Sequence, residues 1–187
     1  TTWPEVAFLY NMRGIIEMDV RHYAAAEADF RKALGLSPEF AEAKANLGAS
    51  LSRQNRANEA IEVLGAAFEE NPLNQAAKLN FADALFQAGW DTESRILAEE
   101  MLAKNPNDYD VLAHLARIYG KKGEHQKVVD TIQKIWNAKG YDPDQLQNFL
   151  TSVDFLEGIN AALKVLDHIE ESEETIRIKS LFLGRAG

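Results

Sequence analysis

The sequence predicts an all-α solenoid assembled from helix-turn-helix repeats. Three observations carry that expectation. Pro38, Pro72 and Pro106 stand 34 residues apart. Small and apolar residues recur at the same step, as at Ala26 and Ala60, Ala33 and Ala67, and Leu47 and Phe81. Between these marks the apolar positions keep the 3–4 spacing of a single buried helical stripe. A fixed period near 34 residues is the signature of an array in which each unit buries its face on its neighbours.

The first helix is expected to start at Thr2-Trp3-Pro4-Glu5, which reads as a capping box with Thr2 as the cap oxygen, and to run to about Val20. Its apolar stripe is Phe8, Leu9, Met12, Ile15 and Ile16. Arg21-His22 makes a turn into a second helix from Tyr23 to about Leu36, with Ala26, Phe30, Ala33 and Leu34 on one face. Ser37-Pro38 reads as a cap followed by a first-turn proline, starting a helix that ends near Arg53. Gln54-Asn55-Arg56 is the next turn, with Asn55 suited to a left-handed backbone. A helix from Ala57 to Glu70 follows.

Asn71-Pro72 and Asn105-Pro106 repeat the cap-and-start chemistry. Helices are expected at about 73–88, 92–104, 107–121 and 125–138, broken at Gly89 and Gly123. Asp142-Pro143 starts a helix to about Phe155, Gly158 breaks it, and Asn160 to Ile169 is its partner. Ser172 caps a last helix from Glu173 to Leu183, which carries Ile176, Leu181 and Phe182 and covers the end of the array.

Composition narrows the function classes. The chain has 187 residues, 46% hydrophobic and 26% charged, the balance of a folded globular protein. A net charge of -9 argues against a nucleic-acid partner and favours basic ones. The absence of cysteine excludes disulfides, thiol catalysis and zinc-thiolate sites. No apolar run is long enough to cross a membrane as a helix. The chain opens on a helix without an initiator Met, which reads as part of a longer or processed protein.

These units resemble tetratricopeptide repeats (TPR), 34-residue helix-turn-helix modules with small or apolar residues at fixed places. The resemblance implies one right-handed superhelical solenoid over residues 1–187. Its units fall near 7–40, 41–74, 75–108 and 109–142, with a degenerate one at 143–172 and a capping helix at 173–184. The eighth place is Gly14, Gly48, Ala82, Ala116 and Leu150; the twentieth is Ala26, Ala60, Ser94, Val128 and Ala162. In the family these two small residues let the paired helices approach closely. Three departures stand out. Lys44 and Lys78 occupy the fourth place, usually large and apolar, and are expected to lay their stems on the site with the amines in water. Unit one reads as one residue longer, since Asn11 and Met12 match Asn46 and Leu47 at a spacing of 35. Leu150 is expected to splay the last helix pair.

Nothing points to catalysis. His22, His114, His125 and His168 form no i,i+4 pair and read as solvated, with His114 toward the groove and His125 in a turn. No H-E-x-x-H, G-x-S-x-G, Walker loop or G-x-G-x-x-G is present. The run Glu170-Glu171-Ser172-Glu173-Glu174 reads as a solvated helix start. The expectation is therefore no enzyme activity, no cofactor and no metal.

The resemblance does imply binding of a protein or peptide, since the first helix of each TPR unit lines a concave groove. The groove-facing candidates for partner contact are Asn11, Asn46, Arg53, Asn80, Asp83, Phe86, His114, Arg117 and Lys121. Asn11, Asn46, Asn80 and His114 lie at or beside the sixth place of successive units. They read as a row that pairs with a peptide backbone, because an amide offers both donor and acceptor. A similar asparagine ladder lines the TPR groove of the O-linked N-acetylglucosamine transferase. The two-carboxylate clamp of chaperone-binding TPR domains is rejected, since only Asn46 fits its residue pattern across units one to three. The sequence thus reads as a protein-binding scaffold. The alternatives are a docking arm of a larger enzyme, or a scaffold that self-associates through its ends.

Overall fold

The computed structural model describes residues 3–167, 169 and 173–186. Among them are eleven helices: α1 Pro4–Asp19, α2 Tyr23–Leu36, α3 Ala41–Arg53, α4 Ala57–Glu70, α5 Gln75–Gln87, α6 Asp91–Lys104, α7 Tyr109–Lys121, α8 His125–Lys139, α9 Pro143–Glu157, α10 Ile159–Leu166 and α11 Glu173–Ala186. They fall into two compact units, Thr1–Met101 and Leu102–Gly187. The expected caps at Thr2 and Ser172, His168, and Glu170-Glu171 lie outside the described residues. Trp3 occupies the N-cap position of α1 and makes no side-chain cap bond.

One turn is built four times. Arg21, Asn55, Gly89 and Gly123 take positive φ of 63°, 61°, 87° and 70°. The next N–H in each case reaches back five residues: His22 to Glu17 O, Arg56 to Leu51 O, Trp90 to Leu85 O and Glu124 to Tyr119 O, at 2.8–3.0 Å. This is the six-to-one bond of a Schellman ending, which satisfies carbonyls left over at a helix C-terminus. The four left-handed residues are 34 apart with no slip. Unit one is therefore not one residue longer, and Asn11 is the equivalent of Ala45 rather than of Asn46.

The proline signals belong to turns, not helix starts. Phe40 N–H donates to Ser37 O, Asn74 N–H to Asn71 O and Asp108 N–H to Asn105 O, each at 3.1 Å. Pro38, Pro72 and Pro106 thus sit second in a β-turn, where a fixed φ is useful. The caps come three residues later than expected. Asn74 accepts from Ala77 N–H at 3.0 Å and Asp108 from Val111 N–H at 3.3 Å. Only Asp142-Pro143 behaves as foreseen: Asp142 accepts from Asp144 N–H at 3.0 Å and Pro143 opens α9.

Packing in the first unit turns on glycine. A Cβ added at Gly48 would lie 2.3 Å from Leu64 Cγ, and one at Gly14 would lie 2.5 Å from the Phe30 ring. Each first helix therefore presses its backbone onto a large buried side chain of its partner. Phe30, Leu47, Leu51, Ala60 and Leu64 share one core that joins two successive repeats. In the third repeat Ala82 takes the glycine's place, and buried Ser94 donates to its carbonyl at 2.7 Å. In the second unit Leu150 is fully buried in one core with Val128, Ile132, Leu146 and Ala162.

The two fourth-place lysines are paired, and for the buried Lys78 this corrects the expectation of a solvated amine. Lys44 meets Glu70, and Lys78, only 4% exposed, meets Glu100 at 3.4 Å and the Phe68 ring at 5.6 Å. An ammonium this buried needs a counter-charge, because desolvation costs more than its stem gains. His125 is corrected in the same way. It opens α8, stacks on Phe155 at 4.1 Å and faces Ser152 Oγ at 3.2 Å.

Two charge clusters tie helices together. Glu27 on α2 receives Gln54 Nε2 at 2.9 Å and Arg56 at 2.6 Å from the turn after α3, with Arg31 beside it. Burial raises its pKa, but the hydrogen bonds from Gln54, Arg31 and Arg56 prevail and hold it below the usual range. Arg13 on α1 forks onto buried Asp29 of α2, and these bonds hold the Asp29 carboxyl below its ordinary value despite burial. A depressed carboxylate contributes stability that is complete above the unfolded pKa of about 3.9 and disappears as pH falls through the native value. Asp29→Asn is therefore expected to be less stable than the parent at pH 7. The gap should close on acidification below about pH 4. Urea midpoints at pH 7 and pH 3 measure it; a gap of the same size at both would contradict the pairing.

Candidate functional site

In the first unit α1, α3 and α5 lie side by side as one layer, with α2 and α4 behind. The 34-residue register sets which residues look outward from that layer. From α1 they are Phe8 and Met12, while Ile15 at the same register packs against the core; from α3, Glu42, Asn46, Ala49 and Arg53; from α5, Asn80, Asp83 and Gln87. Phe8 is 51% and Met12 40% exposed, large apolar side chains on an accessible surface. Arg53 is exposed at the C-terminal end of α3, where a cation suits the helix dipole. Asn46, Asn80, Asp83 and Phe86 are half-buried.

The expected row of amides is only partly present. Asn11 is fully buried. Its Oδ1 accepts from Asn46 Nδ2 at 3.0 Å and its Nδ2 reaches Glu42 Oε1 at 3.5 Å. It sits at the small-residue position held by Ala45, so its amide is consumed inside the layer. Asn46 faces outward but gives one donor to Asn11. Asn80 is the least committed, with no hydrogen-bond partner among the described residues. In the second unit His114 is 2% exposed, not solvated, and its Nδ1 accepts from Arg117 at 2.8 Å. Arg117 and Lys121 are exposed on α7 and engaged with neighbours.

Sequence reasoning missed Phe8 and Met12, which it assigned to a buried stripe. The signal that finds them is the spacing of Arg21, Asn55, Gly89 and Gly123. Aligning unit one on these turns puts Met12 with Asn46 and Asn80, and Phe8 with Glu42. Chemically the layer offers an apolar end on α1, an amide centre, and mixed charge from Glu42, Arg53 and Asp83. It contains no nucleophile with an adjacent base. Among the described residues no group of three His, Asp or Glu is placed to hold a metal ion.

Comparison with known proteins gives one consistent picture. The family model for the tetratricopeptide repeat matches residues 11–64 and 46–109, over half of the chain. A curated mouse relative, interferon-induced protein with tetratricopeptide repeats 3, is 31% identical over 112 residues. The match covers 58% of this chain and 28% of that protein, so the chain corresponds to little over a quarter of the relative's length. Among solved structures, a thermophilic TPR protein of Thermus thermophilus superposes with a TM-score of 0.79 at 14% identity, covering 96% of this chain and 98% of the other. PilW, a type IV pilus biogenesis factor, gives 0.81 at 22% identity, covering 94% and 83%. YrrB, a TPR protein described as having an unusual peptide-binding site, gives 0.63 at 17% identity, covering 96% and 91%.

Proposed function

The chain belongs to the tetratricopeptide repeat family, and from that premise we propose that it is a binding scaffold without chemistry of its own, which holds an extended peptide on the α1–α3–α5 layer. The observation that carries this is the change in character across one continuous surface. Exposed Phe8 and Met12 give way to Asn46 and Asn80, flanked by Arg53 and Asp83. An apolar anchor beside amides is how a groove holds a side chain at one end and a backbone along its length. In the second unit, taken by itself, Arg117 and Lys121 are the exposed candidate contacts on α7, and the buried His114 accepts from Arg117 rather than facing outward. Support also comes from the family, whose members bind proteins and peptides.

The test is direct. Peptides selected by display against the whole chain are titrated by calorimetry at fixed salt. Phe8→Ala combined with Asn80→Ala is expected to weaken binding at least tenfold, or about 1.4 kcal/mol. Circular dichroism should not change, because neither side chain fills a core. Undiminished affinity in the double variant would move the contact surface elsewhere.

A further inference from the structure

The turn after α3 carries a charged bridge that the turn after α5 lacks. Arg56 forks onto both carboxylate oxygens of Glu59 at 2.6 Å and also donates to Glu27 on α2 at 2.6 Å, and Gln54 reaches the same Glu27 at 2.9 Å. In the 34-residue register Arg56, Glu59, Glu27 and Gln54 become Trp90, Glu93, Ile61 and Ala88. One carboxylate is kept, its cation is replaced by an indole, and the second carboxylate becomes an apolar side chain. Glu93 is exposed and has no hydrogen-bond or ion-pair partner among the described residues. Of the basic side chains on α5 and α6, Lys78 pairs with Glu100 at 3.4 Å and Arg95 with Glu99 at 3.8 Å, while Lys104 stands at the far end of α6. Glu93 borders a hollow of about 360 Å³. Buried Leu85 and half-buried Phe81 and Leu97 line it, together with Ile96 and Trp90, which are 50% and 53% exposed. None of Asn80, Asp83 and Gln87 borders it, so it is separate from the surface assigned to the extended peptide.

We propose that this hollow takes an arginine side chain of a partner protein, its guanidinium on Glu93 and against the Trp90 ring, its methylene stem on Leu85, Ile96 and Leu97. The chain itself supplies the precedent, since one repeat earlier the carboxylate at this place holds an arginine through two hydrogen bonds. A purely apolar occupant would cover Glu93 without giving it a counter-charge, which costs free energy. Arginine suits the site better than lysine, because a planar guanidinium forks onto a carboxylate and stacks on an indole at the same time. Its stem is apolar and packs where its head cannot. The hollow lies near the bottom of the range of about 300–1,000 Å³ for ligand pockets, the size for one long side chain. A net charge of -9 draws basic partners to the chain as a whole.

The probe is a capped nine-residue peptide with one arginine at its centre and no other charge, with twins that carry lysine or citrulline there. Each is titrated into the whole chain and followed by backbone amide and indole N–H chemical shifts. The arginine peptide should give saturable shifts on α5 and α6 that include the Trp90 indole. Both twins should bind more weakly, and the citrulline one, which keeps the shape without the charge, at least tenfold. Glu93→Gln should weaken the arginine peptide at least tenfold and leave the citrulline twin unchanged. Trp90→Arg should abolish binding, because it restores within the chain the bridge that Arg56 makes to Glu59. Circular dichroism should not change in either variant, since both side chains are exposed. Phe8→Ala with Asn80→Ala should leave the arginine peptide's affinity as it was, which separates this site from the peptide-binding layer. No saturable shift on α5 and α6, equal binding of either twin, indifference to Glu93→Gln, retained binding in Trp90→Arg, or a loss in the Phe8/Asn80 variant would each overturn the proposal.

Discussion

Leu64→Ala is expected to lower the unfolding free energy by roughly 3 kcal/mol, within the range of about 2–5 for fully buried leucines. Leu64 is wholly buried, lies in the core that joins two repeats, and rests directly on the backbone of α3 at Gly48. Truncation removes its transfer energy and leaves a void against a helix that cannot move in alone. Gly48→Ala is the reciprocal change. It gains up to about 1 kcal/mol of helix propensity but forces a methyl to 2.3 Å from Leu64 Cγ. Overpacking of about 1–3 kcal/mol outweighs the gain. In the double variant the new methyl fills part of the void, so the two costs should fall short of their sum by about 0.5–3 kcal/mol. Urea unfolding of the four proteins, followed by circular dichroism, closes the cycle. Strict additivity would mean that the glycine is not there to admit Leu64.

Asn46→Ala is expected to cost about 1–3 kcal/mol, the usual penalty for a buried polar atom left without its partner. The orphan is Asn11 Oδ1, which accepts from Asn46 Nδ2 at 3.0 Å in a fully buried position. Asn80→Ala, at the equivalent place one repeat later, should stay within about 0.5 kcal/mol of the parent, because none of the described residues bonds its amide. Asn11→Ala with Asn46→Ala should cost less than the sum of the two single changes, since removing both partners leaves no stranded acceptor. Thermal melts under one buffer measure all four. If Asn46→Ala and Asn80→Ala prove equally harmless, Asn11 draws nothing from Asn46. The comparison also bears on binding, because any loss of affinity in Asn46→Ala mixes a weakened layer with a lost contact. Asn80 is the cleaner probe.

The period of 34 residues, the helix-turn-helix units and the absence of catalytic motifs were all legible in the residues alone. Helix bodies follow from apolar spacing, and a left-handed turn residue announces itself when it is Gly or Asn. Arg21 does not, since only the closed Schellman bond shows an arginine holding φ at 63°. Without it the first unit could be slid by one residue to match one asparagine with another, and that slip moved Asn11 from the core to the surface. The X-Pro pairs were ambiguous for a similar reason. A proline is equally at home in a β-turn and in a first helical turn, and the hydrogen bond from the fourth residue decides between them. Lys78 and His114 required the fold, because a charged or ionisable side chain at a groove or surface place is solvated unless a neighbour on another helix, or one turn along its own, supplies a counter-charge or a hydrogen bond. Glu100 and Arg117 do so here. Local sequence thus determined the repeat and its helices, while contacts across repeats decided which polar residues face a partner and which are spent holding the layer together.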